Sequence, residues 1–118
     1  FSYLLGNGDL HAKNISLMVK HGSSLVELTP AYDLICTFIH GDRQMALKID
    51  GRNDNIRRAT ILDFAERFNL SGPAVQNMLD KLIKSFSSHC TILEKIPIIA
   101  RQRTLLQKTI QKRLADLS

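Results

Sequence analysis

The sequence has 118 residues and a formal net charge of +5, with 44% hydrophobic and 23% charged residues. The length suits one domain with its own core, and the composition excludes a disordered tail, a collagen-like fibre and a low-complexity linker. No apolar run approaches the roughly 18 residues of a membrane span. The chain starts at Phe1 without a leader pattern, so we expect a piece of a longer polypeptide with no membrane segment.

The cysteines and the basic C-terminal stretch indicate the redox environment of the protein and the charge of its partners. Cys36 and Cys90 form no Cys-x-x-Cys pair and are too few for a disulfide framework, so we expect free thiols in a reducing cytoplasm. The chain from Ile98 onward is rich in basic residues, which suits phosphate or an acidic partner but also an ordinary solvated helix face. These basic residues are Arg101, Arg103, Lys108, Lys112 and Arg113.

The first half of the chain predicts loops and a β-hairpin. After an apolar start, Gly6-Asn7-Gly8 breaks the chain, and the polar residues 9–14 predict a loop. Strand character over 15–20 and 25–28, with a turn between, predicts a hairpin. A further short strand is expected over 44–49, closed by an Asp-Gly turn.

The second half predicts helices. Thr60 is a candidate cap for a helix that ends near Phe68, and Ser71-Gly72-Pro73 is a typical helix start. Apolar residues then recur at spacings of three and four, which predicts one buried face on each of two helices. The two stripes are Val75, Met78, Leu79, Leu82, Ile83 and Phe86, and then Leu106, Ile110, Leu114 and Leu117.

The polar loop in the first half of the chain contains candidate catalytic and metal-binding residues. Asp9 and Asn14 lie five residues apart, and Asp33 follows Asn14 by nineteen positions, just beyond the predicted hairpin. Phosphoryl transfer needs a carboxylate that orients the attacking hydroxyl, and an amide oxygen and a second carboxylate that hold Mg²⁺. Lys13, inside the loop, could offset charge on the transferred phosphoryl group. A solvated turn with local backbone caps gives the same spacing.

Three segments are similar to the C-terminal part of the HipA-like serine/threonine kinases, toxins of bacterial type II toxin–antitoxin systems. The segments are Leu5-Gly6-Asn7-Gly8-Asp9-Leu10-His11-Ala12-Lys13-Asn14, Leu28-Thr29-Pro30-Ala31-Tyr32-Asp33-Leu34 and Met45-Ala46-Leu47-Lys48-Ile49. The resemblance implies an α+β, mostly helical, protein-kinase-like C-lobe. It implies one domain over 1–118, with catalytic and metal-binding loops and a hairpin in 1–58 and a helical subdomain in 59–118.

Position by position, the resemblance implies Asp9 as the catalytic base. It implies Asn14 and Asp33 as the Mg²⁺ ligands, and it gives ATP as the phosphate donor. The nucleotide would lie against His11, Ala12, Lys13, Asn14, Tyr32 and Asp33. The acceptor would be a protein serine or threonine, since the known targets of the family are aminoacyl-tRNA synthetases, whose loss stalls translation and slows growth.

The resemblance also implies partners. The usual partner is a helix-turn-helix antitoxin of the HipB type that binds operator DNA, and Arg67 lies in the stretch that could touch a DNA phosphate in that complex. A kinase also needs an N-lobe with a phosphate-binding loop and a paired lysine, and neither is present here. We therefore expect the isolated chain to be inactive and to need an N-lobe from elsewhere.

Two other functions fit parts of the sequence. Residues 63–79 have the rhythm of a helix-turn-helix, in which Ala65, Leu70, Val75 and Met78 would pack together and residues 72–84 would read DNA. Asn69 stands where a turn glycine is usual. The loop around Asp9 also resembles that of aminoglycoside and choline phosphotransferases, which would make the chain a small-molecule kinase.

Overall fold

The computed structural model describes all 118 residues as a mainly helical fold with one small antiparallel sheet. Short 3-10 helices cover Ala12–Asn14, Phe38–His40 and Cys90–Lys95. None of the helices combines the length and the apolar character that crossing a bilayer requires. The helices are α1 (Ser2–Leu5), α2 (Arg58–Arg67), α3 (Gly72–His89) and α4 (Ala100–Leu117), and the strands are β1 (Leu17–Val19) and β2 (Val26–Leu28).

The predicted hairpin is confirmed, although its strands are shorter than expected. Strands β1 and β2 pair antiparallel, with Leu17 opposite Leu28 and Val19 opposite Val26. A further backbone hydrogen bond from Thr29 to Ser16 continues the pairing toward the polar loop. The hairpin therefore begins directly after the loop that carries the predicted chemistry.

The strand predicted over 44–49 is wrong. The Met45 N–H donates to the carbonyl of Asn53 at 2.9 Å, whereas the Ala46 N–H donates to the carbonyl of Gly8 at 3.1 Å. Because neighbouring residues bond to different segments, no continuous ladder forms, and Ile49 makes only an isolated bridge with Arg52. The predicted Asp50-Gly51 turn is present, since both residues have positive φ, 49° and 74°.

The predicted helix-turn-helix packing between α2 and α3 is wrong for Leu70 and Met78, which lie exposed beside a tight turn. The Leu70 N–H donates to the carbonyl of Ala65 and the Asn69 N–H to that of Glu66, both at 2.9 Å, with Asn69 at φ 54°. This is a Schellman cap, in which Asn69 takes the place of glycine. Ala65 is buried as expected, but Leu70 is more than half exposed and Met78 is 70% exposed.

Helix α3 begins where the sequence predicted, whereas helix α2 begins earlier than predicted. Helix α2 begins at Arg58, two residues before the expected cap Thr60, and Arg57 precedes it without a side-chain cap. Helix α3 begins where expected, because the Ser71 side chain accepts a hydrogen bond from the Ala74 N–H at 3.4 Å and Pro73 lies in the first turn. Apart from Met78, the predicted stripe of α3 is buried or half-buried.

The core consists of two apolar clusters that share a wall. Phe86 of α3 and Leu114 of α4 pack against both clusters. Burial raises the pKa of the Tyr3 phenol, whose oxygen accepts a hydrogen bond from the Ile56 N–H at 3.2 Å. The first cluster is Tyr3, Leu4, Met45, Ile56 and Leu117, and the second is Phe38, Leu106 and Ile110.

The basic end predicted from the sequence is not an open cationic surface. Arg113 is only 4% exposed, and Arg103 donates to the carbonyls of Ile96 and Ile98 at 3.0 and 3.2 Å. Lys112 forms an ion pair with Asp116 at 2.9 Å, which raises the pKa of the Lys112 ammonium. Arg113 and Arg103 therefore stabilise the fold, and α4 offers no continuous row of unpaired basic side chains.

Candidate functional site

The polar loop begins where α1 ends, and Thr37 holds its first residues. Gly6 ends the helix with φ 77°, and Asn7 is almost fully buried. The Thr37 hydroxyl accepts a hydrogen bond from the Gly8 N–H at 2.7 Å, and its oxygen lies 3.3 Å from the carbonyl oxygen of Gly6. The Asn7 side-chain oxygen in turn accepts from the Asp9 N–H at 2.9 Å. The backbone of Asp9 is thus fixed by buried polar contacts.

Gly8 has no room for a side chain, and we expect Gly8→Ala to destabilise the fold. An added Cβ would meet the carboxylate of Asp42 and lie 2.6 Å from the backbone carbonyl oxygen of Gln44. Since that oxygen belongs to the main chain, we expect the free energy of unfolding to fall by about 2 kcal/mol. Urea denaturation measures it. Gly72→Ala is the control, because a Cβ there meets nothing within 4 Å; equal losses in both variants would contradict the prediction.

Two of the predicted site residues, Asn14 and Asp33, are in direct contact. The Asn14 side-chain nitrogen donates to a carboxylate oxygen of Asp33 at 2.8 Å. The Asn14 side-chain oxygen accepts from the His11 N–H at 3.0 Å, which fixes the amide at the end of its 3-10 turn. Asp33 has φ 55°, in the left-handed region that Asp and Asn tolerate best among non-glycine residues. The fold therefore brings into contact two loops that lie on either side of the hairpin in the sequence.

Tyr32 joins the same two loops a second time. Its hydroxyl donates to the carbonyl oxygen of Lys13 at 2.7 Å and lies 2.7 Å from the hydroxyl of Ser16. These contacts flank Asn14 on both sides along the chain. Tyr32, predicted from the resemblance as a nucleotide contact, also positions the Asn14 loop against Asp33.

The other predicted site residues make no side-chain hydrogen bond to this pair. Asp9 is exposed, and its carboxylate makes no hydrogen bond or ion pair. Lys13 and Ala12 are exposed as well, and Lys13 forms no ion pair. His11 is half-buried, and its Nδ1 is buried without a hydrogen-bond partner.

The donor set of the site fits Mg²⁺. Asp33 keeps one carboxylate oxygen outside any hydrogen bond, and the Asp9 carboxylate is unengaged. Hard oxygen donors of this kind, few in number and open to water, are what Mg²⁺ accepts. No group of three or more His, Cys, Asp or Glu side chains comes together in the fold. The residues that would hold such an ion are Asp33, through its free carboxylate oxygen, and Asn14, through an amide oxygen that also accepts from the His11 N–H.

A cleft of about 470 Å³ lies beside Asn14. Its lining includes Asn14 and Tyr32 from the two site loops and Ile15 and Leu28 from the ends of the hairpin. A cleft with an apolar wall and a few polar groups at one end is typical of a small-ligand site. Its volume falls in the range that ligands of nucleotide size use.

Arg67, the residue predicted to meet DNA, already has a partner. Its guanidinium donates to the Asp50 carboxylate at 2.6 Å, while its side chain remains 64% exposed. An exposed ion pair of this kind is weak, so a DNA phosphate could compete for the guanidinium. Arg67 lies on α2, on an element separate from the two site loops.

Sequence reasoning missed three residues that shape the site: Asn7, Ser16 and Thr37. The Asn7 contact is local, and an Asn two residues before Asp9 is a recognisable side-chain-to-backbone turn signal. Thr37 reaches Gly8 across 29 positions and Ser16 reaches Tyr32 across 16. No local pattern predicts contacts at such separations.

Comparison with known proteins identifies the family. Residues 1–90 match the family described as HipA-like C-terminal domain. The chain belongs to this family, which confirms the resemblance found in the sequence. None of the curated proteins compared with the sequence matches it.

A solved structure supports the fold. The chain is similar to a chain in the complex of the Shewanella oneidensis MR-1 toxin–antitoxin system HipA, HipB and its operator DNA, with a TM-score of 0.68 and 20% sequence identity. The similarity covers 98% of this chain and 29% of that chain. This chain therefore spans less than a third of the length of its structural neighbour.

Proposed function

We propose that the chain is the catalytic-lobe portion of a HipA-like serine/threonine protein kinase, which transfers the γ-phosphate of ATP to a protein. The observation that carries the proposal is the 2.8 Å contact between Asn14 and Asp33, two residues nineteen positions apart on separate loops. In protein kinases a catalytic-loop Asn and a later Asp hold the metal ions together. Membership of the HipA-like C-terminal domain family supports the same activity.

Each site residue takes a role in this proposal. Asp9, exposed and unpaired at the start of the loop, orients the acceptor hydroxyl and takes its proton. Asn14 and Asp33 hold Mg²⁺, which neutralises charge on the ATP phosphates when bound. Lys13, free of any ion pair, faces developing negative charge on the transferred group. His11, Ala12 and Tyr32 line the proposed nucleotide site.

The proposed acceptor is an aminoacyl-tRNA synthetase, and the proposed role is that of a toxin that inhibits translation. The proposed partner is a HipB-type antitoxin that brings the kinase to operator DNA, and Arg67 could exchange Asp50 for a DNA phosphate there. Support for these partners comes from the structural neighbour, which is part of a complex of HipA, HipB and operator DNA. The N-lobe that such a kinase needs would be on the same polypeptide, supplied by a second chain or lost.

The experiment is a phosphate-transfer assay with the full-length product of the gene. We expect radiolabel to pass from γ-labelled ATP to serine or threonine of a purified aminoacyl-tRNA synthetase in the presence of Mg²⁺. Asp9→Ala should reduce labelling to background, because the hydroxyl loses its base. Asp63→Ala, which removes an exposed carboxylate on α2, is the matched control and should leave labelling unchanged.

Two results would contradict the proposal. Labelling of aminoglycosides without labelling of any protein would make the chain a small-molecule kinase. Full activity of the Asp9→Ala variant would remove Asp9 from the role of the base. The 118-residue chain alone should transfer no phosphate, since it holds no phosphate-binding loop.

A further inference from the structure

A small cavity with a basic lining lies between α4, the 3-10 helix Phe38–His40 and the loop that precedes α2. Its volume is about 230 Å³. None of the predicted kinase-site residues lines it, so it is separate from the cleft beside Asn14. We call it the basic cavity. Its polar lining includes three basic side chains, one acidic side chain and one amide, which are Arg43, Lys112, Arg113, Asp54 and Asn55.

The positive charge of the basic cavity is only partly neutralised. The Arg113 guanidinium pairs with the Asp54 carboxylate at 3.2 Å, and the Lys112 ammonium pairs with the Asp116 carboxylate at 2.9 Å. Arg43 is exposed and forms no ion pair. One positive charge at the cavity therefore has no counter-charge in the protein, which favours an anionic ligand.

Arg43 and Arg113 approach the same aromatic ring. Their guanidinium carbons lie 5.5 and 5.8 Å from the centre of the Phe38 ring. The backbone holds the two residues together as well, because the Arg113 guanidinium donates to the Arg43 carbonyl oxygen at 3.0 Å. Two like charges that share one ring repel each other, and an anion bound to both relieves the repulsion.

The basic cavity also contains hydrogen-bond donors that the protein does not use. Arg113 is 4% exposed, and its Nε–H donates to no protein group, since its hydrogen bonds come from Nη1 and Nη2. A donor on so deeply buried a side chain normally has a partner. The Asn55 side-chain oxygen accepts from Lys112 at 2.9 Å, which leaves the side-chain nitrogen of Asn55 free to donate.

The size of the cavity and the kind of donor indicate a small oxyanion. A volume of about 230 Å³ is smaller than that of pockets for drug-sized ligands, which start at roughly 300 Å³. Guanidinium groups present parallel N–H donors that match the oxygens of phosphate. An amide N–H beside them suits the same oxygens. Phosphate is therefore the ligand chemistry that this lining fits best.

We propose that the basic cavity binds a phosphate group, either as inorganic phosphate or as the phosphate of a small ester. Arg43 supplies the charge that has no other partner, and Arg113 and Asn55 add hydrogen bonds from the wall of the cavity. Bound phosphate then ties the segment 38–43 to α4 and to the loop that precedes α2. The proposal does not depend on the proposed function, because the kinase site contributes nothing to this cavity.

The test is a calorimetric titration of the full-length gene product with sodium phosphate, at constant ionic strength and without ATP or Mg²⁺. We expect a Kd below about 1 mM. Arg43→Gln should weaken binding by about tenfold or more, because it removes the unpaired charge and keeps a polar side chain.

Hydrogen exchange locates the bound phosphate. We expect exchange over residues 38–43 and 53–56 to slow by about threefold or more when phosphate is added to the wild type. The same segments of the Arg43→Gln variant should show no such change. Phosphate in the cleft beside Asn14 would instead protect residues 11–14 and 31–34.

Arg101→Gln is the matched control. Arg101 is an exposed arginine on α4 that lines no part of the basic cavity and forms no ion pair. Its replacement should change the Kd by less than about twofold. Circular dichroism of both variants confirms that they fold.

A parallel titration with methyl phosphate identifies the source of the phosphate group. Tighter binding of methyl phosphate than of inorganic phosphate would support the proposal with a small ester as the ligand. Tighter binding of inorganic phosphate would support it with the free ion.

Three results would overturn the proposal. The first is an equal loss of binding in the Arg43→Gln and Arg101→Gln variants. The second is protection confined to residues 11–14 and 31–34. The third is duplex DNA that binds through Arg43 while phosphate and methyl phosphate do not bind, because a nucleic acid would then be the occupant.

Discussion

Replacing Asp33 by Asn in the full-length gene product is expected to lower kcat/KM for ATP-dependent phosphate transfer by about 10³-fold, or about 4 kcal/mol of transition-state stabilisation. The substitution removes the negative charge that would hold Mg²⁺ in the proposed site and keeps the shape of the side chain. The new amide oxygen can still accept the hydrogen bond from Asn14, and Asn tolerates the φ of 55° at this position. A loss of kcat/KM would therefore result from the missing negative charge and not from misfolding.

Steady-state kinetics at several Mg²⁺ concentrations measure this effect. Asp63→Asn is the matched control, since it removes the same charge from an exposed position on α2 and should leave kcat/KM within about twofold. An Asp33→Asn enzyme within about threefold of the wild type would show that Asp33 holds no catalytic metal.

Replacing Arg113 by Met is expected to lower the free energy of unfolding by about 3 kcal/mol. Arg113 is buried, and its guanidinium donates to the carbonyls of Tyr3 and Arg43 and to the carboxylate of Asp54. Its guanidinium carbon also lies 4.4 Å from the centre of the Tyr3 ring. Met fills similar apolar space but leaves all three acceptors without their donor.

Urea denaturation followed by circular dichroism gives this free energy. Lys108→Met on the same helix is the control, because Lys108 is exposed and makes no ion pair, and its unfolding free energy should change by less than about 0.5 kcal/mol. Equal effects of the two substitutions would show that the buried guanidinium contributes nothing beyond helix packing.

The sequence predicted the elements whose signals are local. The Ser71-Gly72-Pro73 start of α3 appears where its capping chemistry requires it, and the hairpin appears between its turn and Thr29. The meeting of Asn14 with Asp33 followed from a spacing that resembles a kinase family, and the structure places the two in contact. Local chemistry thus predicted the elements, and the family spacing predicted the contact between Asn14 and Asp33.

The errors have a common physical cause, which is tertiary context. The residues over 44–49 have strand character, but Gly8 and Asn53 divide their hydrogen bonds. Arg113 looks like part of a cationic surface, yet distant acceptors draw it into the core. Residues 63–79 have the rhythm of a helix-turn-helix, but Leu70 and Met78 stay exposed and Asn69 completes a helix cap. The partners of Ala46 and Arg113 lie too far away in the sequence for a local pattern to predict them.

The packing of α1 against α4 has a consequence for folding during synthesis. Arg113 reaches the carbonyl of Tyr3 across 110 positions, and Leu117 packs beside Leu4. Contacts of such sequence separation close late, after local helices have formed. Since the Asp9 loop starts where α1 ends, the helix that precedes this loop reaches its final packing only after α4 has been synthesised.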